Sequence, residues 1–316
     1  MILKLLGIRV LTGLLTLAIV SLLVFGATEI LPGDVAEAVL GRGATPEALA
    51  AMRERLSLDQ PAYIRYFEWL GRMMNGDFGT STATGRPVIT LIEDRLLNTA
   101  VLALATALVA VPLAFGLGLL SAMRANSVTD QTITVGALVA VAVPEFFTAV
   151  VLIYVFSVTF EWLPAISMIR SGEPILQSLD RLVLPIAVLT MVVMAHTVRM
   201  TRSTVVNVLS SGFVEMALLK GMPRHRIVLL HALPNVLSPL FTVIALTLAY
   251  LVSGVVVVET VFSYPGLGRL MVDAVAGRDV PVIQACGMIF CAAYVVLNMT
   301  ADALSVLSNP RLRVPK

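Results

Sequence analysis

Six long runs of apolar residues alternate with more polar segments along the chain. They occupy about 9–30, 97–121, 133–158, 182–199, 236–260 and 282–307. An α-helix needs roughly 20 residues to cross about 30 Å of hydrocarbon, and each run is of that order. The pattern therefore predicts an all-α integral membrane protein with six transmembrane helices.

The composition agrees with this prediction. Hydrophobic residues make up 58% of the chain and charged residues 13%, whereas roughly a quarter of the residues in a soluble domain are charged. A soluble globular fold is therefore excluded. The first run is longer than the apolar region of a signal peptide and no A-x-A site follows it, so we expect a retained first helix.

In the short segments between the runs, the basic residues fall mainly on one side of the predicted membrane; the segment 31–96 is also rich in arginine but is too long for the rule to apply. If the N-terminus is cytosolic, only Asp130, Glu215 and Asp302 oppose the basic residues of the cytosolic segments. Those basic residues are Lys4, Arg9, Arg124, Arg199, Arg202, Lys220, Arg224, Arg226, Arg311, Arg313 and Lys316. The positive-inside rule then predicts that both termini are cytosolic.

The segment 31–96 is the longest polar stretch between two runs, and we expect it to form a helical outer (periplasmic) loop. Thr45 is a predicted N-cap, with Pro46 as the first helical residue. A second helix should end at Gly76, and a third, near 87–97, leads into the second span. The apolar face of the second helix is expected to pack on the membrane domain. That face consists of Ile64, Phe67, Leu70 and Met74.

Small residues and prolines mark two of the predicted spans. The second span carries small residues at helical spacing, which allows another helix to approach closely. They are Ala103, Ala107, Ala110, Ala114 and Gly118. Pro112 and Pro144 are expected to interrupt spans two and three, and such breaks are tolerated inside a bundle or beside a cavity.

Glu145, next to Pro144, is a lone carboxylate deep in an apolar run. A charge there is costly, so it should face the protein interior or a pathway. Two interpretations stay open, a role in the translocation path and a structural role at the helix break. His196 lacks a Cys or carboxylate companion at ligand spacing, and Cys286 and Cys291 match no metal or redox pattern, so no metal is expected.

Sequence signatures of enzymes are missing from the chain. The dipeptide Gly-Lys does not occur, which excludes a P-loop for binding nucleotide phosphates. Neither H-E-x-x-H nor G-x-S-x-G is present. We therefore expect no catalytic site and no cofactor in this chain, and no binding of nucleic acid.

A basic, glycine-containing loop lies between the fourth and fifth runs, over 200–235. Gly221 is predicted to end a short first helix, and Pro223 to begin a second one that stops near Pro234. The first helix has a narrow apolar face centred on Ala217, which favours insertion into a protein cleft over an interfacial membrane anchor. The residues at helical spacing are Phe213, Met216, Ala217 and Lys220.

The pattern E-M-A-x-x-x-G from Glu215 to Gly221, followed by Leu-Pro at 233–234, resembles the EAA–Gly–LP loop of ABC-importer permeases. Met216 replaces an alanine of that motif, and His231 stands where an aliphatic residue is common. Four further segments are similar to the dipeptide/oligopeptide/nickel group of these permeases. They are "LLVFGATEILPGDVAEAVLG", "LSLDQPAYIRYFEWLGRMMNGDFGTS", "VVVETVFSYPGLGRLMVDAVAGRDVPVIQ" and "SNPRLR".

The resemblance implies a type I importer in the inner membrane of a bacterium. This chain would pair with a paralogous permease, two cytosolic ATP-binding subunits that hydrolyse ATP, and an extracytoplasmic solute-binding protein. The residues implied to couple to the ATPase are Phe213, Glu215, Met216, Ala217, Lys220, Gly221 and Met222. The residues implied to lie at the outer gate or to contact the binding protein are Ser263, Tyr264, Pro265, Gly266 and Gly268.

The chain is thus expected to comprise a first transmembrane helix (1–30), an outer loop (31–96), an ABC type-1 transmembrane domain (97–307) and a cytosolic tail (308–316). Peptides are the leading substrate class, with nickel chelates, glutathione-like compounds and oligosaccharides as alternatives. A self-contained secondary transporter or channel is the competing function. It would more often show paired intramembrane charges and two inverted halves, whereas the sequence shows one lone Glu and no repeat.

Overall fold

The computed structural model describes residues 2–30, 45–55, 60–168, 178–223, 226–227, 243–244, 247–248, 250–251 and 255–308. The α-helices that it bounds are α1 (Ile2–Ile30), α2 (Pro46–Arg55), α3 (Ala62–Met74), α4 (Val88–Met123), α5 (Val128–Ala142), α6 (Glu145–Leu152), α7 (Leu179–Leu209), α8 (Gly212–Leu219), α9 (Leu267–Ala276) and α10 (Val280–Ser308). A π-helical segment, Ile153–Thr159, continues α6, and residues 255–261 are also helical.

Four of the described helices are long and apolar enough to cross a membrane. Their candidate spans are Gly7–Ile30, Val88–Met123, Leu179–Leu209 and Val280–Ala303. Val128–Ala142 and Glu145–Thr159 together give a fifth candidate, bent by 99°. Five of the six predicted runs therefore coincide with these elements, and the all-helical membrane fold is confirmed. The predicted span at 236–260 lies largely outside the described residues, so the count of six stays a prediction.

The two prolines expected to interrupt spans behave differently. Pro144 separates α5 from α6 with an extended backbone (ψ 139°), as predicted. Pro112 lies inside the continuous helix α4, so the prediction of an interruption there was wrong. A membrane helix retains its remaining hydrogen bonds around a proline because unpaired backbone groups are costly in hydrocarbon.

The predicted stripe of small residues is confirmed as a packing surface of α4 against α7. Ala107, Ala110, Ala114 and Gly118 are buried, and Ala103 is half-buried. The approach is closest at Gly118, where an added Cβ would lie 2.7 Å from Thr201 Cβ and 2.9 Å from the Val198 carbonyl oxygen. Glycine permits this contact because it has no side chain to displace the neighbouring helix.

Helices α1 and α10 pack together, and polar contacts join them to each other and to the loop before α4. The Gln284 side-chain amide donates to Thr28 Oγ1 at 2.7 Å, and Arg9 pairs with Asp302 at 3.2 Å. The carboxylate of Asp279, just before α10, accepts hydrogen bonds from Ser81 Oγ and from the Thr82 backbone N–H, at 3.0 Å in the latter case. The loop before α4 is therefore held against the beginning of α10.

Helix α3 packs on α1 through a face other than the predicted one. Tyr66 is buried, lies 5.5 Å from Phe25 between ring centroids, and shares a 2.8 Å hydrogen bond with Ser21. In contrast, Phe67 is 66% exposed and Met74 80% exposed. Ile64 is exposed and Leu70 half-buried. The expectation that Ile64, Phe67, Leu70 and Met74 form the packing face was wrong, because the Tyr66 side of the helix offers both aromatic contact and a hydrogen bond.

Three other local predictions for the segment 31–96 are confirmed. Thr45 Oγ1 accepts the Ala48 N–H at 3.3 Å, as an N-cap does. Gly76 follows the end of α3 with φ +79°, a conformation that glycine adopts without strain. The helix expected near 87–97 is the first part of α4, which continues unbroken into the predicted second span.

Candidate coupling helix and translocation site

Helix α8 follows α7 after a two-residue turn and ends in the predicted way. The Ser211 carbonyl accepts the N–H groups of Val214 and Glu215 at 3.0 and 3.2 Å, which starts the helix. Gly221 has φ +77°, and the Met222 N–H returns to the Ala217 carbonyl at 3.2 Å. The left-handed helix stop predicted from Gly221 is therefore confirmed.

The two faces of α8 differ from the sequence-based expectation. Val214 and Ala217 are buried in a cluster with Ile227, and Leu209 and Met222 pack against it. The exposed side carries Glu215, Met216, Leu219 and Lys220; Met216 is 56% exposed and Leu219 77%. Ala217 thus packs on its own chain, and the outward face is larger than the alanine-centred face that we expected.

The remaining residues of the predicted coupling loop are partly described. Phe213 belongs to α8, but its side chain is outside what the structure describes. Arg224, His225 and the predicted Leu233–Pro234 stop also lie outside the described residues.

An ion pair connects the α4–α5 turn to the part of α7 that leads into α8. Two N–H groups of Arg202 donate to the two carboxylate oxygens of Asp130, each at 2.6 Å. Ser121 Oγ and the Asn126 backbone N–H also donate to this carboxylate, which is nearly fully buried. In the sequence, both charges serve only as topology signals. Asp130 and Arg202 each lie beside an apolar run, which is a signal of a further role. No sequence pattern showed that the two residues pair with each other.

The segment Ser263–Gly268, predicted to lie at the outer gate or to contact the binding protein, is mostly buried. Tyr264 is fully buried, and its hydroxyl donates to the Asn98 carbonyl at 2.8 Å. Burial raises the pKa of Tyr264, which keeps the hydroxyl protonated as a donor. The Asn98 amide in turn donates to the Pro265 carbonyl at 2.9 Å. Of the predicted residues, only Ser263 and Pro265 are half-buried, while Tyr264, Gly266 and Gly268 are buried.

Glu259 is hydrogen-bonded to α4 and to the residue that follows this segment. The sequence alone assigned no role to Glu259. Its carboxylate accepts the Thr99 hydroxyl at 2.5 Å and the Arg269 backbone N–H at 3.1 Å. A Cβ on Gly266 would collide with this carboxylate, and one on Gly268 would lie 2.7 Å from Val256 Cα. The two glycines are therefore required by close packing. The segment therefore contacts both α4 and α9, and most of it is buried.

Glu145 is the first residue of α6, directly after the 99° bend. It borders a cavity of about 200 Å³ together with His196 of α7 and Tyr250. The rings of His196 and Tyr250 have centroids 6.4 Å apart. Within the described part of the chain, Glu145 Oε2 is buried and has no hydrogen-bond partner. The structure thus brings Glu145 and His196 to the same cavity, although no sequence pattern links them. Tyr250 is a third polar residue at this cavity.

Within the same described residues, no group of three or more His, Cys, Asp or Glu side chains is arranged to hold a metal ion. Cys286 is buried and Cys291 half-buried in α10, both as free thiols.

Comparison with known proteins identifies the family. The family described as "Binding-protein-dependent transport system inner membrane component" matches residues 114–314, and its N-terminal counterpart matches residues 2–103. The chain belongs to this family. It is therefore a multi-pass inner-membrane permease of an ABC importer, and the family is not one of catalytic enzymes. No comparison supports the alternative of a self-contained secondary transporter or channel.

Individual relatives are similar over nearly their whole length. The chain is 33% identical over 305 residues to a probable peptide ABC transporter permease of Sinorhizobium fredii, covering 96% of this chain and 97% of the relative. It is 35% identical over 298 residues to the glutathione transport system permease GsiC of Salmonella choleraesuis, covering 94% and 95%. It is also 33% identical over 305 residues to a putative peptide transport permease of Brucella abortus, covering 96% and 97%.

A solved structure shares the fold. It is described as "Inward facing conformations of the MetNI methionine ABC transporter: CY5 native crystal form", and one of its chains superposes with a TM-score of 0.59 at 17% sequence identity. The match covers 70% of this chain and 97% of the other. This likeness supports the architecture of a type I importer transmembrane domain for the described helices.

Proposed function

We propose that this permease imports peptides or similar small solutes. It would form the translocation path with a paralogous permease, receive its substrate from an extracytoplasmic solute-binding protein, and be driven by two separate ATP-binding subunits. The relatives named for peptide and glutathione transport support this substrate class. Purification of the intact importer, followed by mass spectrometry of its subunits and of the ligand carried by the binding protein, tests the proposal. An ATPase and a bound peptide are expected. Recovery without an ATPase subunit would contradict it.

We propose that the exposed face of α8 docks on the ATPase subunit. Met216 and Leu219 present apolar surface beside the charged groups of Glu215 and Lys220, on a helix whose other face is buried in its own chain. This combination of a fixed inner face and an exposed apolar outer face suits a short helix that inserts into a cleft of the ATPase. Gly221 would end the helix so that the chain can turn away from that cleft.

We expect Leu219→Glu to weaken retention of the ATPase subunits on the purified permease. Burying a leucine contributes about 1.5–3 kcal/mol, so replacing it with a charge should reduce the affinity by about ten- to hundredfold. The measurement is the ATPase-to-permease ratio after affinity purification, together with transport in proteoliposomes.

Val128→Glu is the matched control for this change. Val128 is 78% exposed on the same predicted side of the membrane but belongs to α5. It should retain the ATPase, since an acidic residue is favourable at a helix N-terminus. Equal retention for Leu219→Glu and Val128→Glu would exclude α8 as the docking helix. Ala217→Arg, in contrast, is expected to disturb the packing of α8 itself.

The orientation of the chain follows from the charge distribution, and we propose that both termini are cytosolic. Cysteines introduced at Thr45 and at Arg311, which lies outside the described residues, should then differ in labelling by a membrane-impermeant thiol reagent on intact cells. Thr45→Cys is expected to react and Arg311→Cys to react only after permeabilisation. The unmodified protein reports any background from Cys286 and Cys291. Equal labelling of both positions in intact cells would contradict the topology.

A further inference from the structure

A cleft lies at the bend between α5 and α6. Val143 and Pro144 leave the helical conformation there, with ψ values of 123° and 139°, and turn the chain by 99°. Helix α7 packs against both α5 and α6 and contributes Val192 and His196 to the lining of the cleft. The bend therefore opens a space of about 200 Å³ within segments that are otherwise apolar.

The polar groups of this cleft favour a ligand that donates hydrogen bonds. A carboxylate only accepts hydrogen bonds, and Glu145 Oε2 is buried there with no partner in the described part of the chain. Tyr250 and His196 also line the cleft, and a phenol and an imidazole can each donate as well as accept hydrogen bonds. Neither Lys nor Arg is among the described residues that line the cleft. The site therefore favours a ligand that brings hydrogen-bond donors and positive charge.

We infer that the cleft of Glu145, His196 and Tyr250 binds the ammonium group of the transported solute during its passage. An ammonium group supplies three N–H donors and one positive charge, which matches a buried carboxylate oxygen that has no partner in the described part of the chain. The inference rests on the proposed transport function and specifies the part of the substrate that this subunit recognises.

The size and exposure of the cleft define what enters it. Sites for whole small molecules usually measure about 300–1,000 Å³, so a cavity of about 200 Å³ accepts one end of a solute. The cleft is open at one side, because His196 and Tyr250 are both exposed. An ammonium with a short apolar stem fits it, with Val141 and Val192 along the stem. Both a peptide N-terminus and a lysine side chain provide this chemistry.

A purely structural role of Glu145 is the competing interpretation. Glu145 begins α6, where a carboxylate interacts favourably with the helix dipole. In that case its charge would stabilise the helix start, and the cleft would show no selectivity among small solutes. If the cleft binds an ammonium group, a cationic thiol reagent should react faster there than an anionic one. If Glu145 has only a structural role, the charge of the reagent should not affect the rate.

Val192→Cys, in a background with Cys286 and Cys291 replaced by alanine, places a reporter thiol in the cleft. The importer is reconstituted in nanodiscs and treated with aminoethyl methanethiosulfonate, a cation, or sulfonatoethyl methanethiosulfonate, an anion. We expect the cation to react faster, and Glu145→Gln to lower the cation-to-anion rate ratio by about tenfold, as loss of one close charge predicts. Glu93→Gln, an exposed carboxylate at the start of α4, should leave the ratio unchanged.

Protection of the same thiol identifies the ligand chemistry. Alanyl-alanine amide carries an N-terminal ammonium, N-acetyl-lysine amide carries one on its side chain, and N-acetyl-alanyl-alanine amide carries none. One or both of the cationic compounds should slow modification, the neutral one should not, and Glu145→Gln should abolish the difference. Which cation protects identifies the source of the ammonium.

Three results would overturn the inference: no modification by either reagent, a rate ratio unaffected by Glu145→Gln, or equal protection by the neutral compound. These readouts require neither ATP hydrolysis nor the binding protein. A failure of the proposed transport function would instead appear as loss of the ATPase from the purified importer, so the two failures are distinguishable.

Discussion

Replacing Gly118 with valine is expected to destabilise the protein strongly, whereas the same change at Gly116 should have little effect. A Cβ on Gly118 meets Thr201 Cβ at 2.7 Å and the Val198 carbonyl oxygen at 2.9 Å. Backbone and Cβ atoms cannot rotate away, so α4 and α7 would have to separate. Overpacking of this kind costs about 1–3 kcal/mol, and occasionally more.

Gly116 isolates this effect because it lies two residues away on the same helix. A Cβ there meets nothing within 4 Å. Both variants carry the same β-branched side chain, so their difference reports the helix contact alone. The measurement is the thermal unfolding midpoint of the detergent-solubilised permease, followed by size-exclusion chromatography. Equal midpoints for Gly118→Val and Gly116→Val would show that α4 and α7 do not approach as closely as described.

Removing the arginine of the Asp130–Arg202 pair should have a comparably large effect. Arg202→Met would leave the buried Asp130 carboxylate without its cation, although Ser121 and the Asn126 N–H still donate to it. Breaking a buried pair from one side costs about 3–5 kcal/mol, and because the Arg202 side chain is 30% exposed we expect the lower end of that range. Because α7 leads directly into α8, we also expect the variant to retain less of the ATPase.

Two controls distinguish the loss of the Asp130–Arg202 ion pair from the general effect of removing a positive charge. Arg199→Met removes an exposed arginine three residues earlier on α7 and should be nearly neutral. The double variant Asp130→Asn, Arg202→Met removes both charges and should recover much of the lost stability, since replacing a whole buried pair is often tolerated. Unfolding midpoints are the readout. A double variant as unstable as Arg202→Met would mean that the arginine acts by packing rather than by pairing.

Local features of the fold could be predicted because they depend on neighbouring residues. Apolar runs indicate spans, since hydrocarbon thickness imposes a minimum helix length. Thr45 as a cap, Gly221 as a left-handed stop and Pro144 as a helix break each follow from the backbone preferences of one residue type. The small residues of α4 revealed a packing surface because their spacing matches one face of a helix.

Face orientation was less predictable, as α3 and α8 show. Both helices have apolar residues on more than one side, so periodicity does not decide which side is covered. In α3 the buried residue is Tyr66, which finds an aromatic partner and a hydrogen bond on α1. In α8 the buried residues are Val214 and Ala217, which leaves Leu219 exposed.

The sequence by itself determined the membrane class, five candidate spans and the helix stops at Gly76 and Gly221, because each depends on hydrophobicity or backbone preference over a short stretch. Only the tertiary structure decided the polar pairings. Asp130 meets Arg202 across 72 positions, Thr99 meets Glu259 across 160, and Ser81 meets Asp279 across 198. Such pairs satisfy buried polar groups wherever the helices happen to bring them together, and no local pattern specifies that arrangement.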